Sequence, residues 1–514
     1  MALRRWWQQA ETVAGAPGVS RLPVDAGQWL QVATDAAAGG AQLLSLWVTP
    51  ASDASTATLV RAALHSGDRL LIAELALADP ESGYRGLEQL FPAAARMQRA
   101  AFDLCGVRAD APDQRPWLRH QAWPALQHPL RSAPASLAPD DVPVDDYEFV
   151  RVAGDGVHEV PVGPVHAGII EPGHFRFSVV GEKVLRLEER LGYAHKGIER
   201  RFTEVPLLEG HRLAARVSGD SAVAYSWAYC QAAEGLGETV VPERAAWLRA
   251  LCLELERIQN HLGDLGALGN DAGFAFGLAQ FSRLKEQLLR GMQQCCGQRY
   301  LFDAIVPGGV AFDTDARAAA ALAAQLAAIA SASHERQEIY DEHAGLRDRF
   351  VGAGQVSPEL ALRLGLTGMA GRASGQDRDL RTDQACTPYD QLAPRKYLRT
   401  EGDVAARVAL RFDELQESCR LAQRILASLP AGATRVTPQL PAPDSFAVGL
   451  VEGWRGPVMI ALESAAPGTI RRCHPHDPSW QNWPVLEHAI IGNIVPDFPL
   501  INKSFNLSYS GHDL

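Results

Sequence analysis

The chain has 514 residues, of which 47% are hydrophobic, and its formal net charge at pH 7 is -11. This length is typical of two or three domains, and the negative charge argues against a protein that grips nucleic-acid phosphates with a basic face. The most apolar stretch, residues 318–330, is too short and too weakly apolar to predict a membrane span. No apolar signal core follows Arg4 and Arg5, so the sequence predicts a soluble, cytoplasmic chain that can still attach to a membrane complex.

Residues 1–123 are predicted to form a small α/β domain. Within it, residues 43–48 and 70–75 have the apolar character of strands, whereas residues 55–65 and 87–104 favour helices. Residues 124–146 are rich in Pro, Ala, Ser and Asp, which predicts an extended linker. The second domain then comprises residues 147–514.

The second domain is predicted to be mainly helical, with a small β-region at its entry. Residues 150–187 have strand character, and the clearest helix begins at Pro242, a residue that suits a first turn. Further helices are predicted at residues 280–296, 316–341 and 403–429, and strand and turn at 446–460. The fold class expected for the whole chain is therefore α+β. The apolar positions of the clearest helix recur at helical spacing: Trp247, Leu251, Leu255, Ile258, Leu262 and Leu265.

The cysteines give no sign of a metal site. None of the eight belongs to a C-x-x-C pair, and nothing marks secretion, so reduced thiols are expected. His474 and His476 flank Pro475 in a stretch that is more typical of an ordinary loop than of metal ligands. Any iron–sulfur cluster is expected to belong to a partner.

Six short motifs become informative through their order. Alone, each has an ordinary interpretation, such as a hairpin with surface histidines or a solvated helix face with an ion pair. Together they resemble the large-subunit family that contains the 49-kDa subunit of respiratory complex I and the large subunits of membrane-bound, group 4 [NiFe] hydrogenases, over roughly residues 160–514. The motifs are Gly163-Pro164-Val165-His166, Glu171-Pro172-Gly173-His174-Phe175-Arg176, Gly192 to Glu199, Glu254 to His261, Pro307-Gly308-Gly309-Val310, and Arg372-Ala373-Ser374-Gly375 with Asp379 and Arg381.

The first domain carries a second resemblance. Phe91-Pro92-Ala93-Ala94, followed by Arg99, Asp103 and Val107, is similar to the motif of the 30-kDa subunit of complex I, the partner of the 49-kDa subunit. The two resemblances imply a fused chain of the formate-hydrogenlyase and hydrogenase-4 type, with a domain like the 30-kDa subunit preceding the large-subunit fold.

The chain departs from the hydrogenase pattern at the metal ligands. Residues 216–221 resemble R-V-C-G-x-C and residues 507–513 resemble D-P-C-x-x-C-x-D, but the four cysteine positions are Ser218, Ser221, Ser508 and Gly511. A nickel–iron site needs soft thiolate ligands. We therefore expect no nickel, no hydrogen activation, and no metal or cofactor held by this chain.

The complex I resemblance implies a quinone in the vacated cavity, held by a histidine and a tyrosine. Those two positions are Pro172 and Gly219 here, so a quinone in another pose, another small molecule or no ligand are all left open. The remaining polar candidates to line the cavity are His166, His174, Ser218, Asp220, Ser221, Tyr225, Ser508 and His512.

The resemblance also implies partners. Lys196, Glu254, Arg257 and His261 are expected near a [4Fe–4S] cluster in an iron–sulfur small subunit like that of complex I. A histidine there can couple protonation to cluster reduction; the alternative is a histidine that only packs. With membrane antiporter-like subunits, the chain is expected to act as a peripheral-arm redox subunit on the cytoplasmic side, coupling NADH- or quinone-linked electron transfer to ion translocation. A non-catalytic scaffold that holds the small subunit against the membrane arm is the alternative.

Overall fold

The computed structural model describes residues 3–51, 57–120, 123–124, 127–131, 147–166 and 170–514. Most of the predicted linker, residues 124–146, lies outside the described residues. The described strands are β1 (Glu11–Thr12), β2 (Ala14–Gly15), β3 (Val19–Val24), β4 (Gln42–Thr49), β5 (Thr58–Ser66), β6 (Arg69–Leu77), β7 (Tyr84–Arg85), β8 (Ala109–Asp110), β9 (Val157–Val162), β10 (His174–Val180), β11 (Lys183–Arg190), β12 (Ile305–Val306), β13 (Gly309–Val310), β14 (Phe446–Glu452), β15 (Pro457–Ser464) and β16 (Ile470–His476).

The helices alternate with these strands and dominate the second half. They are α1 (Arg4–Trp7), α2 (Ala26–Ala38), α3 (Ala94–Cys105), α4 (Ile198–Phe202), α5 (Gly210–Ala214), α6 (Ala222–Leu236), α7 (Glu243–Asp271), α8 (Ala275–Cys296), α9 (Ala316–Glu342), α10 (Ala344–Phe350), α11 (Pro358–Leu364), α12 (Gly368–Arg372), α13 (Leu380–Asp383), α14 (Tyr389–Leu392), α15 (Val404–Ala427), α16 (Ser479–Ala489), α17 (Phe498–Phe505) and α18 (Tyr509–Asp513). The α+β class is confirmed.

The first domain is built on a five-stranded sheet in the order β1-β3-β6-β5-β4. The predicted strands at 43–48 and 70–75 are confirmed as β4 and β6. The predicted helix at 55–65 is wrong over its described part, which is strand β5. Its alanines favour a helix, but the segment lies between β4 and β6 with Ala62 and Ala63 buried, and sheet packing outweighs local propensity.

The helix predicted at 87–104 begins seven residues later than expected, at Ala94. The residue before a proline is disfavoured in helical conformation, and Phe91 precedes Pro92. The backbone N–H of Leu87 instead donates to the Gln98 side chain. Helix α3 then packs against β4 and covers one face of the sheet.

The second domain centres on the mutually packed helices α7, α8, α9 and α15. Pro242 caps α7, and the predicted apolar stripe of this helix is buried from Trp247 to Leu265. The other predicted long helices are confirmed as α8, α9 and α15. The same domain contains two sheets, β11-β10-β9 and β16-β15-β14-β2; α6 packs against β14 and β15, and α16 packs against β11.

Within the described part of the chain, one helix, α9, is long and apolar enough to cross a membrane by length and composition. The sequence had not predicted a span here. The finding is weak evidence, because the core helix of a soluble protein passes the same test. Helix α9 packs against α8 and α15 in the bundle.

The two domains share a buried polar interface. Strand β2 lies within the range predicted for the first domain, yet it pairs with β14 of the second. The Ser45 hydroxyl lies 2.8 Å from Nε2 of His474, and Glu463 accepts hydrogen bonds from Thr49 and Arg61 at 2.6 Å each. His474 and His476 belong to strand β16, so the predicted loop is wrong: the sequence there pairs with β15.

Candidate functional site

The two loops that resemble the hydrogenase ligand loops meet in the structure. The first, residues 216–221, connects α5 to α6, and the second leads into α18 at the C-terminal end. Ser508 caps α18, since its hydroxyl accepts the Gly511 N–H at 2.9 Å. The Ser218 and Ser508 hydroxyl oxygens lie 2.8 Å apart. We refer to Ser218, Ser221, Ser508 and Gly511 as the vacated cage.

A directed chain of hydrogen bonds crosses the vacated cage. Ser218 donates to Oδ1 of Asp220 at 2.9 Å. A hydroxyl has one proton to donate, so the Ser508 hydroxyl donates to Ser218 while accepting from Gly511. The serines of the cage are 3–4% exposed. Neutral hydrogen-bonded oxygens therefore occupy the space between the loops.

Asp220 joins the first loop to the turn between β14 and β15. Arg455 donates from Nη1 to Oδ1 of Asp220 at 2.7 Å and to the Ser221 hydroxyl at 3.2 Å. Burial by itself would raise the pKa of Asp220. The positive charge and hydrogen bonds of Arg455 have the larger effect, so the pKa of this carboxyl group is lowered. The Asp220 side chain is 39% exposed, so a charged group lies at the surface edge of the vacated cage.

The fourth cage position is filled by a side chain from another segment. A Cβ placed on Gly511 would lie 2.5 Å from Oδ2 of Asp477. Tyr225 donates to the same Oδ2 at 2.8 Å, and burial, then the Asp477 charge, raise the pKa of Tyr225, which keeps the phenol protonated. A larger residue at 511 would displace Asp477.

A nickel–iron centre does not fit these residues. Serine hydroxyls are hard ligands that stay protonated near neutral pH, and glycine offers no donor. Within the described ranges, no group of three or more His, Cys, Asp or Glu side chains is placed to hold a metal ion.

The predicted cavity residues separate into three sets. Ser218, Asp220, Ser221 and Ser508 converge. Tyr225 lies beside them through Asp477, and His512 stacks on Trp480 with ring centroids 4.0 Å apart. Burial lowers the pKa of His512 although Asp513, 2.8 Å away, favours its protonation.

His166 and His174 lie in the third set, at the β9–β10 hairpin. The His166 ring lies 6.1 Å from that of Tyr509, and burial lowers its pKa. Nδ1 of His174 lies 3.3 Å from the Gly163 carbonyl oxygen, which orients this ring into the hairpin and not between the ligand loops.

Glu254, Arg257 and His261, three of the residues predicted near a partner's cluster, lie fully buried on one face of α7 inside this chain. Helix α15 covers it: Oε2 of Glu414 lies 3.2 Å from Nε2 of His261 and 3.6 Å from Nη1 of Arg257. Proximity to a partner's cluster, through an intervening layer, stays a prediction.

These residues belong to a larger buried group that we call the α7 charge cluster. Arg372 donates to Oε1 of Glu414 at 2.9 and 2.7 Å and to Glu452 at 3.1 Å. Burial lowers the pKa of His261 against the opposing effect of Glu414, so this histidine is neutral and packed. The cluster comprises Glu254, Arg257, Arg372, Asp379, Arg381, Glu414 and Glu452.

Lys196 is exposed and supports the first ligand loop. Its Nζ donates to the Val217 carbonyl at 2.9 Å. Burial of part of the side chain lowers its pKa, against the charges of Glu171 and Asp513. This lysine therefore already makes a hydrogen bond within the chain.

Sequence reasoning missed Glu452, Arg455 and Asp477. A usable signal existed for the first two: they are charged residues at a Gly-containing turn between two apolar runs, residues 446–451 and 457–462. Buried charges in such a place need partners. Asp477 gave no comparable signal, because only the fold brings it beside Gly511.

Comparison with known proteins agrees with this architecture. Residues 271–443 match the family model of the respiratory-chain NADH dehydrogenase 49 Kd subunit, and residues 22–136 match that of the 30 Kd subunit. The chain is 31% identical to formate hydrogenlyase subunit 5 of Escherichia coli (strain K12), over 84% of this chain and 77% of that protein. It belongs to the family of hydrogenase and complex I large subunits.

Two further comparisons agree with this architecture. Hydrogenase-4 component G of Escherichia coli (strain K12) is 28% identical over 88% of this chain and 79% of its own length. A chain of the membrane-bound sulfane sulfur reductase, an archaeal respiratory membrane complex, superposes with a TM-score of 0.66 at 23% identity, covering 71% of this chain and 100% of its own. The superposition with this archaeal chain supports the fold described above.

Proposed function

We propose that this chain is the large subunit in the peripheral arm of a membrane-bound redox complex and that it works without a nickel–iron centre. Electrons run through a [4Fe–4S] cluster of a small-subunit partner beside this chain, and membrane antiporter-like subunits complete ion translocation. The arm lies on the cytoplasmic side of the membrane. Membership in the hydrogenase and complex I family supports the complex.

The observation that carries the proposal is the 2.8 Å contact between Ser218 and Ser508. The family's two ligand loops still converge, but hydrogen-bonded serines replace the thiolates. The redox role therefore depends on the charged edge at Asp220 and Arg455, where an acceptor such as a quinone binds beside the exposed Gly219.

The closure of the vacated cage favours a second candidate, the non-catalytic scaffold. Ser218 and Ser508 are almost fully buried, which leaves little access to the space between the loops. In that case the fold serves only to hold the small subunit against the membrane arm.

The purified complex, tested with and without Asp220→Asn, separates these candidates. We expect no nickel by elemental analysis, no hydrogen uptake, and electron transfer that falls in the variant while assembly persists. Glu209→Gln is the matched control, because Glu209 is an exposed acid paired with Arg212. Unchanged electron transfer in Asp220→Asn would favour the scaffold, and one nickel per chain would exclude both candidates.

A further inference from the structure

We propose that Glu452 is a proton-binding group which exchanges its proton with solvent through a cavity beside Gln384. In the assembled complex this proton accompanies electron transfer, a role that rests on the proposed function. Proton binding itself is a property of this chain alone.

The first argument is a charge count. Among the described residues, the α7 charge cluster holds four carboxyl groups, Glu254, Asp379, Glu414 and Glu452, and three guanidinium groups, Arg257, Arg372 and Arg381, each at most 3% exposed. Guanidinium groups stay charged in proteins, and an uncompensated buried carboxylate is strongly disfavoured. One carboxyl group of the cluster therefore has no guanidinium partner of its own within the cluster.

Among the described residues, the neighbouring cations pair with Asp264 and not with Glu452. Arg411 faces Glu414 but is paired with Asp264 at 3.0 Å, and Lys503 lies 3.3 Å from the same carboxyl group. His261 is neutral, since burial lowers its pKa.

Glu452 is the carboxyl group with the weakest compensation. Glu254 accepts from Ser418 at 2.6 Å and Tyr389 at 2.7 Å in addition to Arg381. By contrast, the Glu452 carboxyl group accepts one hydrogen bond from Nη1 of Arg372, at 3.1 Å, and one from the Leu380 N–H, at 3.3 Å.

The two remaining acids are better held. Asp379 binds the Nε and Nη2 groups of Arg381, the latter at 2.7 Å, and Glu414 binds Nε and Nη2 of Arg372. Burial, followed by the Asp379 charge, raises the pKa of Glu452 to about 7, against the opposing charges of Arg372, Arg257 and Arg381.

A cavity gives Glu452 a route to solvent. The cavity has a volume of about 30 Å³ and is lined by Glu452, Arg381, Tyr389, Gln384 and Pro17, among others. This volume is enough for a water molecule, and Oε1 of Gln384 is buried without a hydrogen-bond partner among the described residues. Pro17 is exposed and Gln384 is half-buried, so the cavity reaches the surface there.

The same turn connects Glu452 to the vacated cage. The Glu452 carbonyl oxygen accepts from Nη2 of Arg257 at 2.7 Å, and Arg455, three residues further along, holds Asp220. A proton bound at Glu452 thus changes the charge next to the turn that anchors the first ligand loop.

Infrared spectroscopy of the full chain, titrated with acid and base, tests proton binding. We expect a protonated-carboxyl carbonyl band that disappears as the pH rises through about 7 and is missing from Glu452→Gln. Burial raises the pKa of Glu256, a second buried carboxyl group on α7, to about 8, so its band should remain in that variant and be lost in the double variant with Glu256→Gln. Glu463→Gln is the matched control: Glu463 is equally buried in the neighbouring strand, but Arg61 and Arg471 lower its pKa to about 2 against burial, so it holds no proton near neutral pH. A difference spectrum between wild type and Glu452→Gln that contains no carboxyl band titrating through about 7 would overturn the proposal.

A second variant tests the route and does not depend on removing the acid. Gln384→Leu should keep the band but slow its exchange into deuterated solvent, because the polar lining of the cavity is lost. Equal exchange rates would exclude this route. Circular dichroism of each variant confirms that the fold persists.

The coupling role is tested in the complex. Glu452→Gln should flatten the pH dependence of electron transfer there, whereas Glu463→Gln should not. A wild-type complex that transfers no electrons contradicts the proposed function and leaves the infrared result to decide proton binding. An active complex whose pH profile is unchanged by Glu452→Gln contradicts the coupling role.

Discussion

The vacated cage and the α7 charge cluster have diverged from the family pattern to opposite degrees. In the cage, every thiolate position is altered: the Ser508 hydroxyl bonds to Ser218 and to the Gly511 N–H, and the Asp477 carboxyl group takes the space that a side chain at 511 would need. In the cluster, the motif residues Glu254, Arg257, Arg372 and Arg381 are all present and ion-paired. Chemistry can be removed from one part of this fold while the buried ionic framework beside it is kept, because removing one member of a compensated group is costly.

The largest expected effect tests the cluster. Arg372→Met removes the guanidinium that binds Glu414 twice and Glu452 once, leaving buried acids uncompensated. We expect a loss of about 3–5 kcal/mol in the free energy of unfolding, measured by denaturant titration. Arg290→Met, which removes an exposed pair with Glu286, should cause no measurable change. Equal stability of the two variants would contradict the ionic framework.

A smaller effect tests the packing of the cage. Gly511→Ala places a Cβ 2.5 Å from Oδ2 of Asp477 and 2.9 Å from the Ser508 hydroxyl. Overpacking of this kind should lower the free energy of unfolding by about 1–3 kcal/mol. Gly219→Ala is the control from the other ligand loop, because among the described residues its Cβ would first meet Phe302 at 3.8 Å. Were both variants as stable as the wild type, the space around Gly511 would have to be open enough to accept a methyl group.

The Asp220–Arg455 pair should give a pH-dependent effect. The folded-state pKa of Asp220 is lowered, so its contribution is complete above the unfolded pKa of about 3.9 and is lost as the pH falls through the folded value. With its side chain 39% exposed, we expect Asp220→Asn to lose about 1 kcal/mol at pH 7. The difference from wild type should shrink in acid; a difference independent of pH would show that the charge is not responsible.

The smallest effect concerns the hydrogen bond across the cage. Ser218→Ala removes the donor to Asp220 and the acceptor for Ser508. We expect a loss of about 0.5 kcal/mol in the free energy of unfolding. Ser331→Ala, on the exposed face of α9, provides the baseline. A loss larger than that of Gly511→Ala would show that this hydrogen bond stabilises the cage more than its close packing does.

Elements that follow from residue spacing could be predicted from the sequence, whereas elements that depend on tertiary packing could not. Helix α7 was predictable from Pro242 and its apolar stripe, and the meeting of Ser218 with Ser508 followed from the family motifs. The strand at β5 was not predictable, since its alanines favour a helix until β4 and β6 enclose them. The burial of Glu254 and His261 was also missed, because their spacing equally suits a solvated face, and only the packing of α15 decides between the two.

The pairing of β2 with β14 joins two segments that are far apart in the sequence, and this separation decides when they can pair. Ala14 and Gly15 leave the ribosome long before their partners Ala447 and Val448 are made. Contacts so distant in sequence form late. Strand β2 must therefore wait unpaired until β14 of the second domain has been made, a period in which such an edge is prone to wrong pairing.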